Sequence, residues 1–405
     1  MHPHTNTHSG RKESLKALIS SISLLLVVWC AFETFAGVVF FWPALKLFGY
    51  GTIFFLLVTL SKRRDAAKPS RFTMGVEIVA VCVLLSVAQY VSLQYLHRGL
   101  LDPSRLDIAT TVESAIRTLF VFHENPYNPS DPGRWSGFNG VAYPYGPMMI
   151  FGYLPALYGP IFFKICSIVY LIGSLVLATR FVAQGVEGRL PKIASAVFVV
   201  ALMMMPRAIW NDVSEGINDH FPVFLLLLSL TMWKAKKDIW AGVFAGLSLS
   251  AKFSPALFLI ALFVRRSLPL RFFVGVAIGC VPMLWFIMWE PARFFNDVVH
   301  FHFVKNGTPT SILNLLPIEL HDVVRALRWV CLGLFVVRNF DKELEVHSVM
   351  YEFTLLMILI NSLHVEMHSN HMFWIVPTAA ILLTHYRYRS WSLGRGVLGR
   401  VEPSR

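Results

Sequence analysis

Apolar runs of membrane-spanning length recur from one end of this chain to the other, and no polar stretch between them is long enough to fold alone. A helix needs roughly 20 apolar residues to cross the hydrocarbon core, and backbone polar groups at that depth must be satisfied internally. The expected fold class is therefore all-α, a polytopic membrane protein with a single domain over residues 1–405. Only 15% of the residues are charged, against about a quarter in soluble domains. The 11 Trp and 33 Phe suit lipid-facing helices and interfacial belts.

The net charge of +12 does not point to nucleic acid, because the cations sit in short clusters between apolar runs. These are Lys62 to Arg71, Lys234 to Lys237, Arg265 to Arg271, and Arg387 to Arg400. Basic loops flanking apolar spans are the signature of a cytoplasmic face. Cys30, Cys82, Cys166, Cys280 and Cys331 all lie inside apolar runs, without metal or disulfide spacing. Arg11, Lys12 and Lys16 precede an apolar stretch that lacks a small-residue cleavage site, so an uncleaved first helix is expected.

Apolar length gives about ten transmembrane helices plus a re-entrant helix pair. The spans are Leu15–Phe35, Val38–Leu60, Met74–Leu96, Ile161–Phe181, Ile193–Met205, Phe221–Trp233, Phe272–Trp289, Val323–Phe340, Ser348–Leu363 and His371–Tyr386. The run from Trp240 to Val264 lies between two basic clusters that both belong in the cytoplasm, and Lys252 and Pro255 interrupt it. Two half-helices that dip in and return fit that arrangement, and a lysine at such depth is a functional-site candidate. Its plain alternative is a lysine that snorkels to an interface. The polar side chains then gather on the outer face, in loops 97–146, 206–220, 290–322 and 364–370, which carry short surface helices.

Asp107 lies just beyond a membrane helix, where a carboxylate could take a proton from a substrate hydroxyl. Alone, it reads equally as the N-cap of the helical pattern from Thr111 to Phe122, which includes Arg117. Tyr127, Tyr143 and Tyr145, set among prolines, suggest a rigid aromatic loop able to stack on a sugar ring. Asn218, Asp219 and His220 stand at the lip of a helix. The third loop brings His300, His302 and Lys305, and the fourth brings His364, Glu366 and His368, followed by His371. Such a set suits a phosphate or a metal, but the spacing matches no zinc signature, so no metal is required and a divalent ion stays possible.

An outer Asp soon after a membrane helix, then a surface helix and Asn125-Pro126-Tyr127, resembles the first periplasmic loop of the GT-C membrane glycosyltransferases. The chain is most similar to the polyprenyl-phosphate-mannose-dependent bacterial mannosyltransferase family. The stretch Ala241 to Pro255 resembles that family's Gly-x-x-x-Gly, small-residue, Lys-x-x-Pro segment, and His302 to Leu315 its later His and basic loop. Where the family usually has Gly-Gln-Asn, this chain has Gly216-Ile217-Asn218-Asp219. The resemblance implies a polyprenyl-phosphate sugar as donor and a lipid or glycan acceptor. Asp107 would be the general base of an inverting displacement, with Lys252, Lys305, His302 or Arg117 at the leaving phosphate. A bacterial inner membrane is the implied location, with the site facing the periplasm or exterior.

A transporter or flippase of a lipid-linked or polar substrate is the main competing class, with Lys252 and the outer acids as its pathway. No internal repeat supports it, and the chemistry-rich residues lie in outer loops. An acyltransferase or ligase acting on lipid-linked glycans would expect an outer His or Arg cluster and no essential early Asp.

Overall fold

The computed structural model describes residues 19–20, 22–31, 43–62, 71–101, 107–130, 143–263, 268–300, 316–339, 345–363 and 373–388. The side chains of 43–46, 62, 73, 91–101, 107, 207–208, 211, 263 and 325 are outside that description. Among the described residues the regular structure is helical, without a β-strand. In chain order come α1 Ile22–Ala31, α2 Pro43–Lys62, α3 Arg71–Leu101, α4 Asp107–Phe120, α5 Met148–Gly152 and α6 Pro160–Ala183. Then follow α7 Arg189–Met204, α8 Arg207–Glu215, α9 His220–Lys234, α10 Asp238–Ala251, α11 Ala256–Phe263, α12 Leu270–Gly279 and α13 Val281–Trp289. The last four are α14 Pro291–Phe294, α15 His321–Asn339, α16 Val346–Ser362 and α17 Val376–Tyr388.

Among the described residues, α6 is the one unbroken helix long and apolar enough by itself to cross a membrane. Its 24 residues rise about 36 Å, and Pro160 opens it at a position where the missing N–H costs nothing. The expected single span Phe272–Trp289 is instead two helices, α12 and α13, bent by 48° at Cys280. Pro282 explains the break: it has no N–H for the carbonyl one turn back, and its ring crowds that turn. Among the described residues the other apolar helical stretches, among them Leu47–Ser61 in α2 and Met74–Tyr90 in α3, run 10–17 residues.

The interrupted run at Lys252 does divide, into α10 and α11, with Lys252 extended at φ −154°, ψ 152°. Its outcome is legible in how α10 meets α12. Gly242 and Gly246 face Gly275 and Gly279: a Cβ on Gly242 would lie 2.0 Å from the Phe272 carbonyl oxygen, and one on Gly246 would lie 2.4 Å from that of Val276. The partners advance together along both helices, so α10 and α12 run parallel. Lys237, before α10, and Arg271, in the first turn of α12, therefore lie at the same end. The chain must turn back between them, as the two basic clusters require. Small residues permit this backbone contact, and Ser250 Oγ donates to the Gly279 carbonyl across it at 3.0 Å. On its other side α10 is tied to α9: Ser248 donates to the Pro222 carbonyl, while Ser229 donates to that of Ala241, both at 2.7 Å.

The core has two parts. The larger one joins α2, α3, α6, α7, α9, α16 and α17. A smaller aromatic core lies against the residues of the first outer loop, built from Tyr127, Tyr143, Tyr153, Phe163, Phe221, Phe286 and Phe294 with one face of α4. That face repeats at helical spacing through Ala109, Val112, Ala115 and Ile116, which is why the surface helix forms there.

Candidate functional site

The break after α10 places Lys252 where two expected outer loops and the start of the last expected span converge. Its Nζ donates to Asp219 Oδ1 at 2.6 Å and lies 3.4 Å from Asn218 Oδ1. Trp374 Nε1 donates to the same Asp219 oxygen at 2.7 Å. The ammonium also sits 5.6 Å from the centre of the Tyr145 ring, within reach of its π face. Asn218, Asp219 and His220 are all fully buried, while the Lys252 side chain keeps 16% exposure. A buried charge needs a counter-charge; here one carboxylate oxygen accepts from both a cation and an indole, and the cation stays at the edge.

Tyr145 reaches Lys252 because the next residue has no side chain. Gly146 N–H donates to the Ala251 carbonyl at 3.0 Å, capping the end of α10, and a Cβ there would lie 2.1 Å from the Ser250 oxygen. Behind it Tyr127 OH donates to the Tyr145 carbonyl at 2.8 Å. Asn125 Oδ1 accepts from Tyr127 N–H at 2.9 Å, and Asp297 Oδ2 from Tyr143 N–H at 3.4 Å. Tyr127 and Tyr143 are thus interior supports, 1% and 0% exposed, with the Tyr127 ring edge-on to Phe286 and Phe294. Burial holds both phenols well above their ordinary pKa, with Tyr143 and Asp297 adding to the effect on Tyr127, so neither ionises at neutral pH.

The start of α4 is brought to the same place. Asp107 is the first residue of that helix, so it stands inside it and not ahead of it as a cap. Gly216 ends α8 in the left-handed conformation, φ 77°, with Ile217 N–H reaching the Asp212 carbonyl and Gly216 N–H that of Val213, the Schellman pattern. A Cβ on Gly216 would lie 3.0 Å from Ala109 Cβ and 3.6 Å from the Phe163 ring. Hence the turn carrying Asp107 packs two residues ahead of Asn218. The expected second outer loop is mostly this helix, α8.

Other expected site residues are dispersed or lie outside the described residues. Arg117 is exposed on α4, 3.3 Å from Glu113 one turn back. His300 is exposed at the end of a π-helical turn, Phe295–His300. His302, Lys305 and His368, like His364, Glu366 and His371, lie outside the described residues. Among the described residues no group of three or more His, Cys, Asp or Glu is placed to hold a metal ion. Two residues escaped the sequence reading. Trp374 was counted within a span, and nothing local marks it as a carboxylate donor. Lys164 is 2% exposed on α6, next in sequence to Phe163, which faces Gly216; a lysine one turn inside a long apolar helix was its available signal.

The arrangement offers a partly exposed cation at the edge of a buried polar cluster, with an aromatic loop and a helix start beside it. The family model of glycosyltransferase family 87, a GT-C-type membrane family, matches residues 143–360, over half of the chain. That match covers Tyr143, Tyr145, Asn218, Asp219, His220 and Lys252, and begins after Asp107. No curated protein and no solved structure matches.

Proposed function

The chain belongs to glycosyltransferase family 87, and from that premise we propose that it moves a hexose, mannose, from a polyprenyl-phosphate sugar to a lipid-linked or glycan acceptor. The reaction takes place at the outer face of a bacterial inner membrane, where the lipid-linked donor enters from the bilayer and the acceptor binds at the surface. Asp107 takes the proton of the acceptor hydroxyl; that oxygen attacks the anomeric carbon; the bond from that carbon to the phosphate oxygen breaks, and its electron pair leaves with the lipid phosphate. One displacement inverts the anomeric centre. Lys252 meets the charge that develops on the leaving phosphate, a role for a fixed cation in a site shielded from water. A monophosphate leaving group adds little charge, so a divalent ion is not required.

The observation that carries this reading is the junction of Lys252, Asp219 and Trp374 beneath Tyr145, beside the helix start that bears Asp107. The test is sugar transfer by purified protein in lipid vesicles, supplied with polyprenyl-phosphate sugars and extracted acceptor lipids. Wild type is expected to transfer, and a folded Asp107→Asn variant to lose at least about a hundredfold, the scale of a general base. Transfer that survives Asp107→Asn assigns the base to another acid. Failure of the wild type with every donor, alongside an active control enzyme, returns the chain to the transporter class.

A further inference from the structure

Three successive polar side chains, Asn218, Asp219 and His220, are fully buried, and they differ in how they are satisfied. Asp219 takes Lys252 and Trp374 on one oxygen. Asn218 gives its carbonyl oxygen to Lys252, and its Nδ2 has no hydrogen-bond partner among the described residues. His220 has neither ring nitrogen partnered among the described residues, and its ring stands edge-on to Phe373, centroids 3.8 Å apart. Unpaired buried polar groups are unfavourable and rare, so two neighbours of this kind require a reason.

The reason lies in what those atoms can bind. A neutral imidazole presents one donor and one acceptor, and the amide nitrogen presents donors. A phosphate dianion only accepts, so the imidazole's acceptor nitrogen would gain nothing from it. A hydroxyl does both. Lys252, the partly exposed member of the cluster, is the phosphate's partner; Asn218, which accepts from it, and His220 lie deeper in the protein. We propose that Asn218 and His220 are a hydroxyl-reading subsite: they pair with ring hydroxyls of the transferred sugar and set which hexose is accepted. Phe373 supplies the apolar wall beside that ring. The proposal rests on the donor assignment above.

The experiment compares kcat/KM for polyprenyl-phosphate mannose and its 2-, 3-, 4- and 6-deoxy counterparts, using full-length wild type, His220→Phe and Asn218→Leu in lipid vesicles. A site built to pair a hydroxyl rejects the analogue without it, so wild type should lose about tenfold to a hundredfold on at least one deoxy donor, the scale of one buried group left unsatisfied. In His220→Phe or Asn218→Leu that penalty should fall to about threefold or less, through loss on the parent sugar alone. Unchanged penalties in both folded variants overturn the proposal. Thermal unfolding in detergent gives an independent reading, because replacing a buried imidazole that has no hydrogen-bond partner among the described residues by a phenyl ring relieves an unfavourable group. The transition of His220→Phe should stay level or rise; a clear fall would mark His220 as an already satisfied structural residue and overturn its part. Wild type that transfers from no polyprenyl-phosphate hexose overturns the donor assignment and this inference together, whereas normal transfer with unaltered penalties removes this inference alone.

Discussion

Lys252 and Asp219, 33 positions apart, meet at 2.6 Å, and the oxygen that binds the ammonium also accepts from Trp374. Removing the cation leaves a buried carboxylate without the counter-charge that Lys252 supplies. Lys252→Met is expected to cost about 3 kcal/mol in stability, the low end for breaking a buried pair because Lys252 is partly exposed. Transfer should fall at least about a hundredfold. Adding Asp219→Asn should recover most of the stability and none of the transfer; unfolding curves and transfer rates of the single and double variants check this.

Gly246→Val should prevent the helix pair from closing. Its side chain would enter the space of the Val276 carbonyl and of Gly279, whose Cα would lie 2.9 Å from the added Cβ, and main chain cannot rotate away as a flexible side chain does. The expected outcome is a loss of folded protein in detergent, read by size-exclusion profile. Gly51, which has open space where its Cβ would stand, is the control: Gly51→Ala should leave the profile unchanged.

Gly216→Ala combines a strained backbone with a close neighbour. The left-handed φ of 77° costs a residue with a Cβ about 1 kcal/mol or more, and the added carbon would press on Ala109 at 3.0 Å. Because Ala109 lies in the turn that starts with Asp107, kcat should drop more than the unfolding temperature suggests. Steady-state kinetics beside thermal unfolding separates the two effects.

Tyr127→Phe removes one donor and leaves the Tyr145 carbonyl short of a partner. A loss of about 1–3 kcal/mol is expected for that unsatisfied acceptor. Activity should fall mildly, since the ring still packs on Phe286 and Phe294. Tyr127→Ala should cost about 3–5 kcal/mol by opening a cavity, and should abolish transfer with stability. The two variants together tell a support from a sugar contact.

Sidedness follows from the parallel pairing of α10 and α12. Single cysteines placed at Lys236 and Arg271 should react with a membrane-impermeant thiol reagent from one side, and a cysteine at Asn128 from the other. The native cysteines must first be replaced. Reaction of Lys236 and Arg271 positions from opposite sides would contradict the return of the chain at Lys252.

The helical class and the break at Lys252 were legible in the sequence, because a cation and a proline inside an apolar run leave few other readings. The surface helix was legible from Thr111 onward by its apolar spacing, though its first residue, Asp107, reads locally as a cap. The contact of Lys252 with Asp219 was not, since 33 residues separate them and no local pattern encodes a tertiary ion pair. Trp374 was hidden for a different reason: an interfacial tryptophan and a carboxylate donor look alike in sequence. The tyrosines show the ambiguity of an amphipathic side chain, since Tyr127 and Tyr143 lie fully buried beneath the loop they were expected to line. Gly275 and Gly279 were invisible inside an apolar stretch until α10 was seen to lie against them.

Four glycines let the backbones of α10 and α12 touch, and this makes the height of Lys252 in the bilayer a property of main-chain geometry. Leucines, valines and phenylalanines elsewhere on these helices can be exchanged as the surrounding lipid changes, without raising or lowering the ammonium. The seam thus works as a fixed gauge, holding one charge at one depth while the rest of the wall is free to drift.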